Sequence, residues 1–319
     1  MNISRLPLDY WKVFTASTIS SVGSGVSGVA FPWIASALTR DPLAISLVVL
    51  AGQLPWLIFT LPAGVLTDRL DRKRILVSMD VVRGCVTAIV GVLIFLNRNS
   101  ISDIKNPVIT AQTNWVLLSL IIVAELILGF ANVLADNTSQ TVMPKVVAEE
   151  KLQDANGKIW SAISVSENFV GPPLGSFLLG LSAFLPFIFD ASSFFLSAGL
   201  ILLVSVSLGG KKVDSERKEF RVELAEGFQW LWNHSLIRTL ALSLGAFNLA
   251  TNLAMASYVL FVQEDLHARV FVFSLLGTGF AIGGFIGGIF GPKISKRLGE
   301  GSSLTLALLG IASATVISG

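Results

Sequence analysis

The chain has 319 residues, 53% of them hydrophobic and 14% charged, with a formal net charge of +2 and a mean hydropathy of +0.73. A soluble globular chain needs far more charge to cover its surface, so this composition points to a membrane protein. The net charge is small and no basic block carries interleaved aromatics, so nucleic acid is not an expected partner.

A helix crossing about 30 Å of hydrocarbon needs about 20 apolar residues. In chain order the candidate spans are 13–38, 44–66, 75–96, 115–136, 156–182, 185–208, 237–261, 270–291 and 303–319. The first is too long for a cleavable signal peptide and lacks a small-residue cleavage site. The last is short, so the chain is expected to stop inside or at the end of a ninth helix. Between 209 and 235 the chain turns hydrophilic and reads as a cytoplasmic linker, with Leu224–Trp232 as an amphipathic helix along the interface. The fold expected is an all-α membrane bundle. Residues 1–208 form a first six-helix bundle, 209–235 the linker, and 236–319 a partial second bundle.

Basic residues orient the spans, because Lys and Arg favour cytoplasmic loops. Of the 23, one alternating set of loops holds 18, including Arg69, Arg72, Lys73, Arg74, Lys211, Lys212 and Lys296. The opposite set holds four, Arg40, Arg98, Lys105 and Arg269, and Arg83 lies inside a span. The N-terminus is therefore expected in the cytoplasm, in a multi-pass protein of the cell membrane.

The densest charge cluster is Gly64-Val65-Leu66-Thr67-Asp68-Arg69-Leu70-Asp71-Arg72-Lys73-Arg74, held between two apolar runs. The pattern resembles the loop between helices 2 and 3 of major facilitator superfamily transporters. Ser295-Lys296-Arg297-Leu298-Gly299 echoes it beyond the linker, as parallel-repeat transporters do. Leu152-Gln153-Asp154-Ala155-Asn156 through Gly171-Pro172-Pro173-Leu174-Gly175 resembles helix 5 of drug:proton antiporters. Leu185–Phe194 and Leu224–Trp232 are similar to the macrolide-efflux and enterobactin-exporter branch. This resemblance implies two six-helix bundles around a central cavity, alternating access, and export of small lipophilic or amphiphilic molecules driven by protons. It also implies that the chain is C-terminally incomplete. The chain departs from the pattern at Asp71, where the family's loop usually has glycine and the turn is expected to be less permissive. It departs again at Glu167, where a glycine often stands, and at Ser176.

Ionisable groups inside a bilayer are costly and point to function. Glu125 and Glu167 fall near mid-membrane, at about ten residues from the ends of their spans. There they are placed to take and release a proton as access alternates. Trp160, Ser164, Glu167, Gly171 and Gly175 share one helical stripe, which turns Glu167 toward the protein interior. The alternative for both is a carboxyl hydrogen-bonded between helices as glue. Gly64, Asp68, Arg69, Arg72, Lys73, Asp80, Arg83 and Asp136 read together as a cytoplasmic charge network that latches one conformation. Asp80 and Arg83, at i and i+3, read equally as a self-neutralising pair with Arg83 snorkelling toward the headgroups. Gly171, Pro172 and Gly175 are the helix 5 signature, and Gly171-Pro172-Pro173 is expected to kink that helix. The ladder of Gly279, Gly283, Gly287 and Gly291 reads as a close-packing face. Gln53, Trp33, Trp56, Asn248 and Asn252 are candidates to line a cavity, with interhelical hydrogen bonds as the alternative.

Cys85 is the only cysteine, and His234 and His267 stand far apart, so neither a metal nor a cofactor is expected. No His/Asp/Glu cluster with ligand spacing suggests a membrane enzyme. No Gly-rich loop followed by Lys-Ser or Lys-Thr suggests ATP-driven transport. The expected partners are a small-molecule substrate, protons and the lipid bilayer, with the protein a monomer. The alternative is a truncated, non-transporting membrane protein or scaffold.

Overall fold

The computed structural model describes residues 6–98, 114–206 and 220–299, with 301–303, 309–310 and 313. Regular structure among the described residues is helical throughout. Helix α1 (Leu8–Leu38) is followed by α2 (Pro42–Arg69), whose first turn is set by Pro42 and by Asp41, which accepts from the Leu43 amide at 2.9 Å. Proline at the first helical position and aspartate as the cap satisfy the free amides that a helix start leaves. Helix α3 (Arg72–Leu96) begins in the same manner. Asp71 accepts from the Arg74 amide at 2.9 Å with φ of −70°, so this position does not call for a glycine. The less permissive turn expected there from the missing glycine does not arise.

Helix α4 (Trp115–Val146) is capped by Asn114. Then come a short 3-10 turn, α5 (Leu152–Val165), a π-helical turn (Ser166–Val170) and α6 (Gly171–Leu181), which together form one element. Pro172 and Pro173 have no amide hydrogen to donate, so the regular ladder cannot continue past them. The chain meets this by widening one turn, with the Gly171 amide bonded to the Ser166 carbonyl. The expected interruption of helix 5 thus takes the form of a π turn. Helix α7 (Leu185–Leu202), the amphipathic α8 (Phe220–Asn233), α9 (Ser235–Glu264) and α10 (Val270–Leu298) complete the described elements. Five of them, α1, α2, α3, α4 and α7, are long and apolar enough to cross a membrane. Most of the predicted run 303–319 lies outside the described residues.

The described residues up to Ser274 form one compact unit, and those from Leu275 onward a second. In the first unit α1 lies at the centre, against α6 and α7, while α2 packs on α4 and α3 packs on both α4 and α7. Helix α1 earns that place through small side chains. A Cβ added to Gly23 would overlap the Asp190 carboxylate, and one on Gly25 would overlap the Glu167 carbonyl. Without a hydrophobic force between helices in lipid, such close backbone approach is what holds them. Two apolar clusters fill the bundle. One gathers Trp33, Ile34, Ile45, Leu118, Ile121 and Phe187, and the other Tyr10, Val13, Met143, Ala155 and Ile159. Large apolar side chains such as Leu57, Leu96 and Val116 face outward, as a lipid-contacting surface requires.

Candidate functional site

The most deeply buried carboxyl among the described residues is Asp190, 2% exposed and roughly 8 Å along α7 from its start. Its Oδ2 accepts from the Ser27 hydroxyl of α1, while the Ser193 hydroxyl donates to the Asp190 backbone carbonyl at 2.8 Å and lies 3.4 Å from Oδ1. It makes no ion pair with any described residue. Asp190 falls within the Leu185–Phe194 motif, and sequence reasoning did not single it out. The signal available was an acidic residue inside an otherwise apolar run.

On the facing helix α3, Arg83 pairs with Asp80 and donates to Asn132 of α4 at 3.1 Å. Its guanidinium lies 4.4 Å from the centre of the Phe194 ring. Arg83 is thus held inside the bundle by α3, α4 and α7 together, rather than snorkelling to the headgroups. Both Arg83 Nε and Thr87 Oγ1, one turn further along α3, are buried without a hydrogen-bond partner.

Glu125 and Glu167 are set differently. Glu125 is half-buried on α4, and a Cβ on Gly52 of α2 would lie 2.6 Å from its Oε2. Glu167 is exposed and sits on the π turn. Single π turns recur at functional sites because they re-aim the side chains around them. Neither carboxylate accepts a hydrogen bond from a described residue or makes an ion pair with one.

The predicted cytoplasmic network is brought together only in part. Arg72 reaches Asp68 at 3.5 Å and donates to Thr141 of α4 at 2.7 Å, while Thr67 and Thr138 share a hydrogen bond below them. Lys73 donates to the Val204 carbonyl at 2.8 Å, tying the loop to the end of α7. Asp136 is exposed and makes no hydrogen bond or ion pair with a described residue, and Asp80 and Arg83 pair with each other. Arg69 is exposed, and a Cβ added to Gly64 would meet nothing within 4 Å. Gly171 and Gly175 press on α1, at 2.6 Å from the Gly25 Cα and 2.7 Å from the Val26 carbonyl by the same measure.

The cavity candidates do not converge. Trp33 is buried and its ring lies 5.8 Å from Phe273, while Gln53 and Trp56 are exposed on α2. The side chains of Asn248 and Asn252 lie outside the described residues. Gly279, Gly283 and Gly287 have no neighbour within 4 Å of an added Cβ, and Gly291 lies outside the described side chains. At the far end of α1 a belt of contacts joins it to α9. Arg40 donates to Gln263 at 2.5 Å and approaches Glu264 at 3.7 Å, and Gln263 donates to Ser36 at 2.8 Å. Ser274 of α10 bonds Ser176 of α6 at 3.1 Å.

A bundle of apolar helices with ionisable groups sealed inside is a multi-pass membrane protein. Residues 13–318 match the model of the Major Facilitator Superfamily, and the chain belongs to that family. It is similar to the multidrug efflux pump Tap of Mycobacterium tuberculosis, 26% identical over 234 residues, covering 72% of this chain and 52% of that protein. It is also similar to macrolide efflux protein A of Streptococcus pyogenes, 22% identical over 300 residues, covering 91% of this chain and 68% of that one. The chain thus spans about half the length of the Tap proteins it matches. Its fold resembles a bacterial homologue of the human lysosomal transporter Spinster in an inward-facing, unoccupied conformation. The TM-score is 0.61 at 13% identity, over 91% of this chain and 62% of that one.

Proposed function

We propose that the chain works in secondary active export, moving small lipophilic or amphiphilic molecules outward in exchange for protons. One observation carries this reading. Glu125 stands in α4, one of the five membrane-length helices, and Glu167 on the π turn of the fifth element; neither has a hydrogen bond or ion pair to any described residue, although an unpaired carboxylate inside a bilayer is costly. Evolution tolerates such groups where they carry ions or protons. The similarity to two efflux proteins supports the same class, and the absence of a nucleotide-binding loop in the sequence argues for a gradient as the energy source.

In this reading the N-terminus and the Gly64–Arg74 loop face the cytoplasm, as the distribution of Lys and Arg favours. Residues 1–208 act as the first bundle, 209–235 as the linker, and 236–319 belong to the second bundle. Arg72 and Asp68 brace the inner ends of α2 and α4, while the Arg40–Gln263–Ser36 belt closes the outer end. Alternating access then exchanges one closed end for the other, with Glu167 and Glu125 taking up a proton outside and releasing it inside. The protein acts as a monomer and needs no cofactor.

The test is ethidium efflux from cells with and without the gene, before and after a protonophore collapses the gradient. Efflux seen only in expressing cells and abolished by the protonophore is expected. Equal retention in both strains overturns the reading.

A further inference from the structure

Asp190 has a role in none of the steps above, yet it is the most deeply buried carboxyl of the bundle. Purely structural glue does not explain its surroundings well. Its carboxylate accepts from one neutral hydroxyl, Ser27, with the Ser193 hydroxyl near by at 3.4 Å, and no described cation pairs with it. The nearest cation, Arg83, is committed to Asp80 and Asn132 and stacked on Phe194, one turn beyond Asp190 on α7. The Arg83 Nε and the Thr87 hydroxyl are left buried and unbonded on the α3 face that packs on α7. Burying a polar atom without a partner costs about 1–3 kcal/mol, so these two atoms are a cost to the α3–α7 packing rather than a support of it. Gly23 leaves room for the carboxylate, since a Cβ there would overlap both Ser193 Oγ and Asp190 Oδ1.

The groups around Asp190 can be named element by element. Helix α1 offers Ser27, its charged residues Asp9 and Lys12 being bound at the other end of α7, to Ser205, Val206 and Leu203. Helix α3 offers Asp80 and Arg83, α4 offers Glu125, and α6 carries no ionisable residue. The cation beside Asp190, its guanidinium over the Phe194 ring one turn along α7, is thus already paired with Asp80.

We propose that Asp190 is a second proton-exchanging residue of the transporter, with Ser27 as its hydrogen-bond partner and Arg83 as its counter-charge. Its carboxylate takes a proton and becomes a carboxylic acid. The acid later returns that proton to water on the opposite side, restoring the carboxylate. While Asp190 is ionised, Arg83 is drawn toward it. Once Asp190 is protonated, Arg83 rests on Asp80, which couples the proton to the α3–α7 interface.

This inference rests on the proton-coupled reading, and it has a test that needs no transported molecule. Infrared difference spectra of the purified full chain in lipid nanodiscs, between acidic and alkaline buffer, register each carboxyl that exchanges a proton. One C=O stretching component is expected to vanish in Asp190→Asn, to persist at a moved frequency in Asp190→Glu, and to shift in Ser27→Ala. A carboxyl serving only as glue gives no difference band, so an unchanged spectrum in Asp190→Asn overturns the proposal. Should Asp190→Asn not fold, the Ser27→Ala spectrum decides, and an unshifted band there overturns the proposal too. In cells, Asp190→Asn is expected to reduce gradient-driven ethidium efflux to background while keeping ethidium exchange down its own gradient. Loss of both modes in a well-folded variant overturns the coupling role. If the parent chain pumps no ethidium yet the infrared component vanishes, the export reading fails and the assignment of Asp190 stands.

Discussion

Gly25 of α1 lies against the backbone of Glu167, so closely that a Cβ would overlap the Glu167 carbonyl oxygen. The π turn that carries Glu167 is therefore pinned from one side by α1 and opened from the other by Pro172 and Pro173. Gly25→Val is expected to destabilise the chain by about 1–3 kcal/mol, the usual result of overpacking. Gly28, with nothing within 4 Å, supplies the control, and Gly28→Ala is expected to be close to neutral. Thermal unfolding in detergent, followed by tryptophan fluorescence, compares the two.

Glu167→Gln and Glu125→Gln keep the shape of each side chain and remove its exchangeable proton. Each is expected to abolish gradient-driven ethidium efflux while membrane abundance on an immunoblot stays at the parent level. If both variants pump at the parent rate, these residues are not the coupling carboxyls.

Arg83 and Asp80 are both buried, so deleting one partner strands the other charge. Arg83→Gln is expected to lower stability by about 3–5 kcal/mol. The double variant Asp80→Asn/Arg83→Gln is expected to recover much of that loss, because no charge is left unpaired. Additive losses would show that the two do not act as a pair.

Ser176 and Ser274 place their hydroxyl oxygens 3.1 Å apart, close enough for cysteines there to meet the geometry of a disulfide. Ser176→Cys/Ser274→Cys, in a Cys85→Ser background, is expected to cross-link under mild oxidant and to arrest efflux until reductant is added. Cross-linking with efflux unchanged would mean that α6 and α10 need not separate during transport.

How far the sequence was readable differs from element to element. Helices α1 to α4, α7 and the amphipathic α8 fall on the expected segments, but α4 runs ten residues past its expected end at 136 and α7 stops at Leu202 rather than 208. The starts of α2 and α3 move by two and three residues, to where Asp41 and Asp71 cap them, and a cap depends on local chemistry that hydropathy ignores. Proline placement announced a break in the fifth span, but a wide turn and a sharp kink satisfy the same missing amides, so the form of the break was not legible. The Gly64–Arg74 loop was found by its charges. That Lys73 ties it to α7, and that Asp136 stays out of it, depends on which helices are neighbours.

Composition, span length and the loop motif were enough to determine the membrane class, the helical architecture and the superfamily. These follow from the bilayer, which forces every backbone to bond within its own helix and so writes each span as a continuous apolar run. Which polar side chains meet across helices was decided only by the tertiary structure. Asp190 reads as one acidic residue in an apolar run until α1 brings Ser27 to it and α3 brings Arg83 near, from positions remote in the chain. Helix pairing depends on close approach at small residues such as Gly23 and Gly25, and that complementarity exists between surfaces rather than along a strand of sequence.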